Sequence, residues 1–370
     1  MDPSDISADK GVLVERWVRP EIRALKAYHV PAPGKLVKLD AMENPYTWPA
    51  YLRGEWLELL QCVAMNRYPD PGANELKRQM RQAFAIPSQM SLLLGNGSDE
   101  LIQLVAMAVQ GPGRTILAPE PSFSMYKMIA TFVGMAYVGV PLKGDDFSLD
   151  MPAMLEAIER YQPAVIFLAY PNNPTGNLFA EEDVVAILNA AEGLVVLDEA
   201  YTSFADSSFM PRLGEFENLL VMRTVSKMGL AGLRLGLLVG PAVWLDEFDK
   251  LRLPYNINVL TQASAQLALT YVDIFEQQTT QIRKDREQLM AALSEMVGVD
   301  VFPSAANFLL LRVPPGRAQA VFDGIKARGV LIKNLDGTTP LLRDCLRVTV
   351  GRPQENQLFL RALEASLDDG

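Results

Sequence analysis

The chain has 370 residues, 49% of them apolar, and its 34 Lys and Arg against 44 Asp and Glu leave a net charge of −10. At roughly 150 residues per domain this is two or three domains, or one large α/β unit with an appendage, and so apolar a chain is not a disordered one. So acidic a chain is also a poor general binder of nucleic acid or of anionic membranes, although local basic residues can still hold a small anion.

The first ten residues carry Asp2, Asp5 and Asp9, with no basic region ahead of an apolar core, so no secretory signal is expected there. The single histidine, His29, rules out a multi-histidine metal site and would have to serve as the base of any Ser-His-Asp hydrolase. Cys62 and Cys345 are too far apart in sequence for a disulfide framework or a zinc site of ordinary spacing. No metal is expected, and the compartment that suits these thiols is a reducing cytoplasm. A chain of this size with so little histidine points to chemistry borrowed from a cofactor. The longest candidate membrane stretch, 128–142, is too short and is broken by Gly134 and Gly139.

In chain order, short apolar runs fall at 91–94, 115–118, 136–140, 164–169, 194–197, 219–222 and 235–239. Most are continuous rather than alternating, as in strands buried on both faces. Amphipathic segments separate them, among them 99–109, 153–161 and 181–191; the second follows Asp150 as an N-cap, with Pro152 in its first turn. This alternation predicts an α/β fold with a mainly parallel, seven-stranded sheet flanked by helices. The ends differ. Residues 12–56 hold no long periodic run; after Pro254 comes a helical stretch over 263–296, then strands at 308–313 and 345–350 with a helix at 318–328 between them. The expected division is a large domain over 58–258, and a smaller α+β domain built from 259–370 with an N-terminal arm over 1–57.

Ligands of open α/β sheets sit at the carboxyl ends of the strands. Four strand ends are followed by reactive or polar groups: Gly97-Ser98-Asp99 opening a helix, Asn172-Asn173-Pro174-Thr175-Gly176, Asp198-Glu199-Ala200-Tyr201, and Ser226-Lys227 with Arg234 beyond it. Each alone reads as a turn, a cap or a solvated charge. Together, and in this order, they make one chemical sense. A lysine amine forms a Schiff base with an aldehyde. A carboxylate keeps a pyridine nitrogen protonated, so that the ring draws electrons. A phenol and an amide hydrogen-bond a ring oxygen, and a helix N-terminus with Ser and Arg holds a phosphate. The cofactor with all four handles is pyridoxal 5′-phosphate.

Further motifs include Arg19-Pro20-Glu21-Ile22-Arg23, Leu39-Asp40-Ala41-Met42-Glu43-Asn44-Pro45, Arg67-Tyr68-Pro69-Asp70-Pro71, Pro121-Ser122-Phe123-Ser124-Met125-Tyr126, Ser304-Ala305-Ala306-Asn307-Phe308 and Leu346-Arg347-Val348-Thr349-Val350. On these motifs, from about Val18 to the C-terminus, the sequence resembles the fold-type I, pyridoxal-phosphate-dependent aminotransferases, and among them the histidinol-phosphate aminotransferase family. The resemblance implies transfer of an amino group between L-histidinol phosphate and 2-oxoglutarate in histidine biosynthesis. It implies that Lys227 carries the cofactor and shuttles the proton, that Asp198 pairs with the ring nitrogen, and that Asn173 and Tyr201 hold the ring oxygen. Ser98, Asp99, Ser226 and Arg234 would surround the phosphate, and Phe123 would stack on the ring. Tyr68 would reach the cofactor phosphate of a neighbouring subunit, which implies a homodimer. Arg347, with Tyr28, Asn173 and Lys333, would bind the substrate. The sequence departs from many relatives at Phe123, which lacks a hydroxyl, at Met42 in place of Asn, at Lys333 in place of Arg, and in a Lys227–Arg234 spacing one residue shorter. The same residues also suit an aromatic or other amino-acid aminotransferase, or a decarboxylase of phosphorylated amino acids. A non-catalytic ligand-binding domain is a remoter reading, since it would have no use for Lys227.

Overall fold

The structure is a computed structural model and describes residues 13–27 and 34–369. Seven strands form the central sheet: β2 (Ser91–Gly95), β3 (Thr115–Glu120), β4 (Ala136–Pro141), β5 (Val165–Ala169), β6 (Leu194–Asp198), β7 (Leu219–Thr224) and β8 (Gly236–Gly240), in spatial order β2-β8-β7-β6-β5-β3-β4. All neighbours are parallel except β8, which runs antiparallel to both β2 and β7. The expected sheet is therefore present, with every one of the seven runs in it.

The continuous apolar runs follow from burial on both faces. In β6, Val195 and Leu197 join one core cluster while Leu194 and Val196 join another; β5 and β7 divide in the same alternating way. Helices between the strands cover both faces. Asp150 caps the helix Met151–Tyr161, its carboxylate accepting from Ala153 N at 3.2 Å.

A third cluster fills the second part of the molecule. There β9 (Asp300–Val301), β10 (Phe308–Arg312), β12 (Lys333–Asn334) and β13 (Cys345–Thr349) form an antiparallel sheet in order β12-β13-β10-β9. The N-terminal segment joins this part of the molecule through a separate two-stranded sheet, β1 (Val37–Lys38) paired in parallel with β11 (Val330–Leu331). The helix Ala50–Gln61 runs through the division expected near residue 57, and Asn258 caps the helix Val259–Thr270 near the other.

The helix expected over 263–296 is two helices, Val259–Thr270 and Val272–Ser294, broken at Tyr271. Thr270, Tyr271 and Val272 are β-branched or aromatic and weak helix formers. Tertiary contacts also hold Tyr271: its hydroxyl donates to Glu55 at 2.6 Å, and its ring meets Tyr51 edge-on. The helices Asn74–Ala83 and Pro353–Asp368 have no counterpart in the sequence reading. Among the described residues no helix is long and apolar enough to cross a membrane, and no group of His, Cys, Asp and Glu could hold a metal ion.

Candidate active site

The carboxyl ends of β2, β5, β6 and β7 open on one cavity, lined among others by Ser98, Asp99, Phe123, Asn173, Asp198, Tyr201, Ser226, Lys227 and Arg234. Met42 from the N-terminal segment closes one wall.

Asp198 ends β6 and is 3% exposed. Tyr126 donates its hydroxyl to Oδ2 at 2.8 Å, and Ala200 N donates to Oδ1 at 3.2 Å. Burial pushes the carboxyl up to about 7, against the opposing pull of those two donors. Neither donor is a cation, and among the described residues no salt bridge reaches the buried acid, which faces the cavity. The adjoining Glu199 is equally buried but fully engaged: Arg223 Nε donates to it at 2.9 Å, and Phe209 N and Ser208 Oγ donate as well. Of the two neighbouring acids, only Asp198 is left for a ligand.

Lys227 lies in a wide helical turn, Ser226–Leu230, directly beyond β7. The turn closes through Gly229, at φ 133°, where a Cβ would come within 3.0 Å of Asn44 Nδ2 and 3.1 Å of the Phe275 ring. Lys227 Nζ donates to the Ala41 carbonyl at 3.1 Å. Burial, helped by the charge of Arg347, lowers its pKa to about 8. A far larger share of the amine is thus neutral near physiological pH than in an ordinary lysine, which favours its action as a nucleophile.

Asn173 sits in a turn held from below by Asn172, whose amide donates to Pro121 O and Thr175 Oγ1. Its Nδ2 donates to the Tyr201 hydroxyl at 3.1 Å, and its Oδ1 accepts from Arg347 Nη1. The second Arg347 amino group donates to Asp40 O at 3.2 Å, and the guanidinium lies 5.3 Å from the Phe308 ring centroid. Arg347 is 7% exposed. It projects from β13 on the side opposite Leu346 and Val348, which belong to the core, as strand alternation requires. Lys333 is its cross-strand partner on β12 and shares its face.

At the other end of the cavity the helix Ser98–Val109 begins behind Gly97, with no side-chain cap on its first amides. Such a terminus attracts an anion. Gly97 has φ +80°, and a Cβ there would lie 2.8 Å from Arg234 Nη2. Arg234 also pairs with Asp99 at 3.3 Å. Ser226 N donates to Thr224 Oγ1 at 3.2 Å, and their two hydroxyls are 2.9 Å apart.

These residues fit pyridoxal phosphate: a buried acid lacking a cation for a ring nitrogen, an amide and a phenol side by side for a ring oxygen, an uncapped helix start with Arg234 for a phosphate, and an amine between them. Phe123 lines the cavity edge-on to Tyr126. Tyr68 does not line it; the ring is 79% exposed and stacks on Tyr255 at 4.4 Å. Tyr28 lies outside the described residues. Three participants had no role in the sequence reading: Tyr126, Asn172 and the carbonyls of 40–41. All lie in motifs singled out in the sequence, 121–126, 172–176 and 39–45, and Tyr126 carried the clearest signal, as a phenol one helix turn from Phe123.

Comparison with known proteins agrees with this chemistry. The family model for aminotransferase class I and II matches residues 35–363. The chain belongs to the class I and II aminotransferases. This aminotransferase is 57% identical over 352 residues to histidinol-phosphate aminotransferase 2 of Nitrosococcus oceani, covering 95% of this chain and 98% of that one. It is 54% identical to histidinol-phosphate aminotransferase 1 of Ralstonia nicotianae, over 96% of each. Among solved structures its fold is similar to the histidinol-phosphate aminotransferase of Sinorhizobium meliloti in complex with pyridoxal-5′-phosphate, with a TM-score of 0.85 at 24% identity, covering 95% of this chain and 98% of that one.

Proposed function

We propose that this aminotransferase moves an amino group between L-histidinol phosphate and 2-oxoglutarate, giving imidazole-acetol phosphate and L-glutamate, with pyridoxal 5′-phosphate held in the cavity around Lys227. The observation that carries the reading is the contact between Arg347 and Asn173. It sets a buried guanidinium, suited to the acidic end of a substrate, beside the amide suited to the cofactor's ring oxygen. The full-length relatives named above support the choice of substrate.

When bound, the cofactor supplies a carbonyl that takes up the amine and a protonated ring that accepts electron density. Asp198 would hold the proton at the ring nitrogen, its position set by Tyr126 and Ala200. Asn173 and Tyr201 would orient the ring oxygen, and Phe123 would cover the ring. The first amides of the helix Ser98–Val109, with Ser226 and Arg234, would hold the phosphate. Lys227, released from its bond to Ala41 O, would take and return the proton at the substrate carbon; a pKa of about 8 suits both directions. Arg347, with Lys333 beside it, would hold the substrate phosphate, and Tyr28 would join them. Lys333 keeps the charge of an arginine without its fork.

Tyr68, exposed and away from its own chain's cavity, is free to complete the phosphate site of a second copy, and we read the active form as a homodimer in a reducing cytoplasm. The deciding test mixes the loaded enzyme with one amino donor at a time and follows loss of the cofactor's absorption band. L-Histidinol phosphate and L-glutamate are expected to remove it, and L-histidinol to do so poorly. An equal response to histidinol and its phosphate would leave a general aminotransferase.

A further inference from the structure

Three consecutive residues of the N-terminal segment hand main-chain carbonyls to this site. Asp40 O accepts from Arg347 at 3.2 Å, Ala41 O from Lys227 at 3.1 Å, and Met42 O from Asn307 at 3.0 Å. Met42 N donates to Thr349 Oγ1 at 2.9 Å. Met42 itself has φ 53°, a left-handed conformation that a side chain of its type seldom adopts. Its partners therefore hold this ridge in place.

The same segment carries two carboxylates, Asp40 and Glu43, on either side of Ala41 and Met42, close to a site that has to admit an anion. On a chain of net charge −10 that is an unfavourable field. One residue answers both: Lys38 Nζ lies 3.1 Å from Asp40 Oδ1 and 2.8 Å from Glu43 Oε2. The Asp40 side chain is only 9% exposed, so its side of the pairing is shielded from solvent, while Glu43 is half exposed and open to screening by salt.

We propose that Lys38 is a positioning residue for the phosphate-bearing substrate: it offsets one of the two negative charges of Asp40 and Glu43 beside the site and pins the ridge that orients Lys227 and Arg347. The inference rests on the substrate reading above. Burial disfavours the charged form of Lys38, but Glu43 and Asp40 outweigh it and hold its pKa above the ordinary lysine value, so the ammonium persists. The charge of Glu43 reaches Lys227, where with Asp99 it opposes the lowering by burial, Arg347 and Arg234.

The test compares Lys38→Met, Lys38→Arg, Glu43→Gln and the double variant Lys38→Met/Glu43→Gln as loaded enzymes. Lys38→Met is expected to raise KM for L-histidinol phosphate about fivefold, with kcat changed less than about twofold and a larger effect at low salt. Its KM for L-histidinol should hardly move. The pH titration of the cofactor's absorption band should shift upward, because uncompensated carboxylates favour a protonated nitrogen. Lys38→Arg should restore both readouts, and the double variant should bring KM back to within about twofold of the parent. Glu43→Gln alone should shift the band titration the opposite way, and it decides the matter if Lys38→Met does not fold. An unchanged KM in Lys38→Met, an equal rise for histidinol, or no rescue in a double variant that melts like the parent would overturn the proposal. A parent enzyme that treats histidinol and its phosphate alike would instead overturn the substrate reading.

Discussion

Asp198→Asn separates the charge of this side chain from its shape, and the cofactor-free protein is where that charge is most unfavourable. Burial holds the carboxyl at about 7, against an ordinary value of 3.8. Between those values the folded protein keeps a proton on Asp198 that the unfolded chain has released. The folded state then binds more protons, so stability falls as pH rises from about 4 to about 7 and levels off above it. Three pH units at about 1.4 kcal/mol each place about 4 kcal/mol of pH-dependent stability in this one residue. Asparagine can still accept from Tyr126 and has nothing to titrate. Cofactor-free thermal midpoints at pH 5 and pH 8 should therefore differ less in the variant than in the parent, and the variant should be the more stable of the two at pH 8. Loading should reverse the order, because a cationic ring nitrogen would compensate the carboxylate and would find no charge in the amide. The loaded variant should keep its secondary structure and lose most of its proton-transfer rate in single turnovers. Parallel pH dependences in the two cofactor-free proteins would refute the argument that Asp198 is an uncompensated buried acid.

Lys227→Ala should abolish turnover with the fold intact, and borohydride treatment of the loaded parent should label the Lys227 peptide and no other. Arg347→Ala would remove the proposed charge-assisted contact with the substrate phosphate, worth roughly 1.5–3 kcal/mol, so kcat/KM for L-histidinol phosphate should drop about tenfold to a hundredfold, with a much smaller drop for histidinol. Tyr68→Phe should weaken cofactor retention, and mixing it with Lys227→Ala should yield hybrid dimers with one intact site; a fully active monomer in sedimentation would contradict this.

What the sequence by itself determined is the local part of the design. A strand buried on both faces has to be apolar at every position, so β5, β6 and β7 stand out as unbroken runs, and the residues at their ends name themselves once the strands are placed. The cap at Asp150 was legible for the same reason, since its partner Ala153 is three residues away. Tertiary structure alone decided the contacts that give those residues their chemistry. The Tyr126–Asp198 bond spans 72 positions, Arg347–Asn173 spans 174, and Lys227–Ala41 spans 186. No periodicity records such pairings, because each depends on how separate elements dock. The same holds for the break at Tyr271, where contacts with Glu55 and Tyr51 reinforce a weak local preference. It holds too for the physical reason that Asp198, already singled out by the resemblance, is the available acid and Glu199 is not. The two acids adjoin in sequence, but the fold gives Arg223 to Glu199 and leaves Asp198 facing the cavity. Burial without a cation, which is a property of the packed interior and not of the residue, is what makes Asp198 the acid for a ligand.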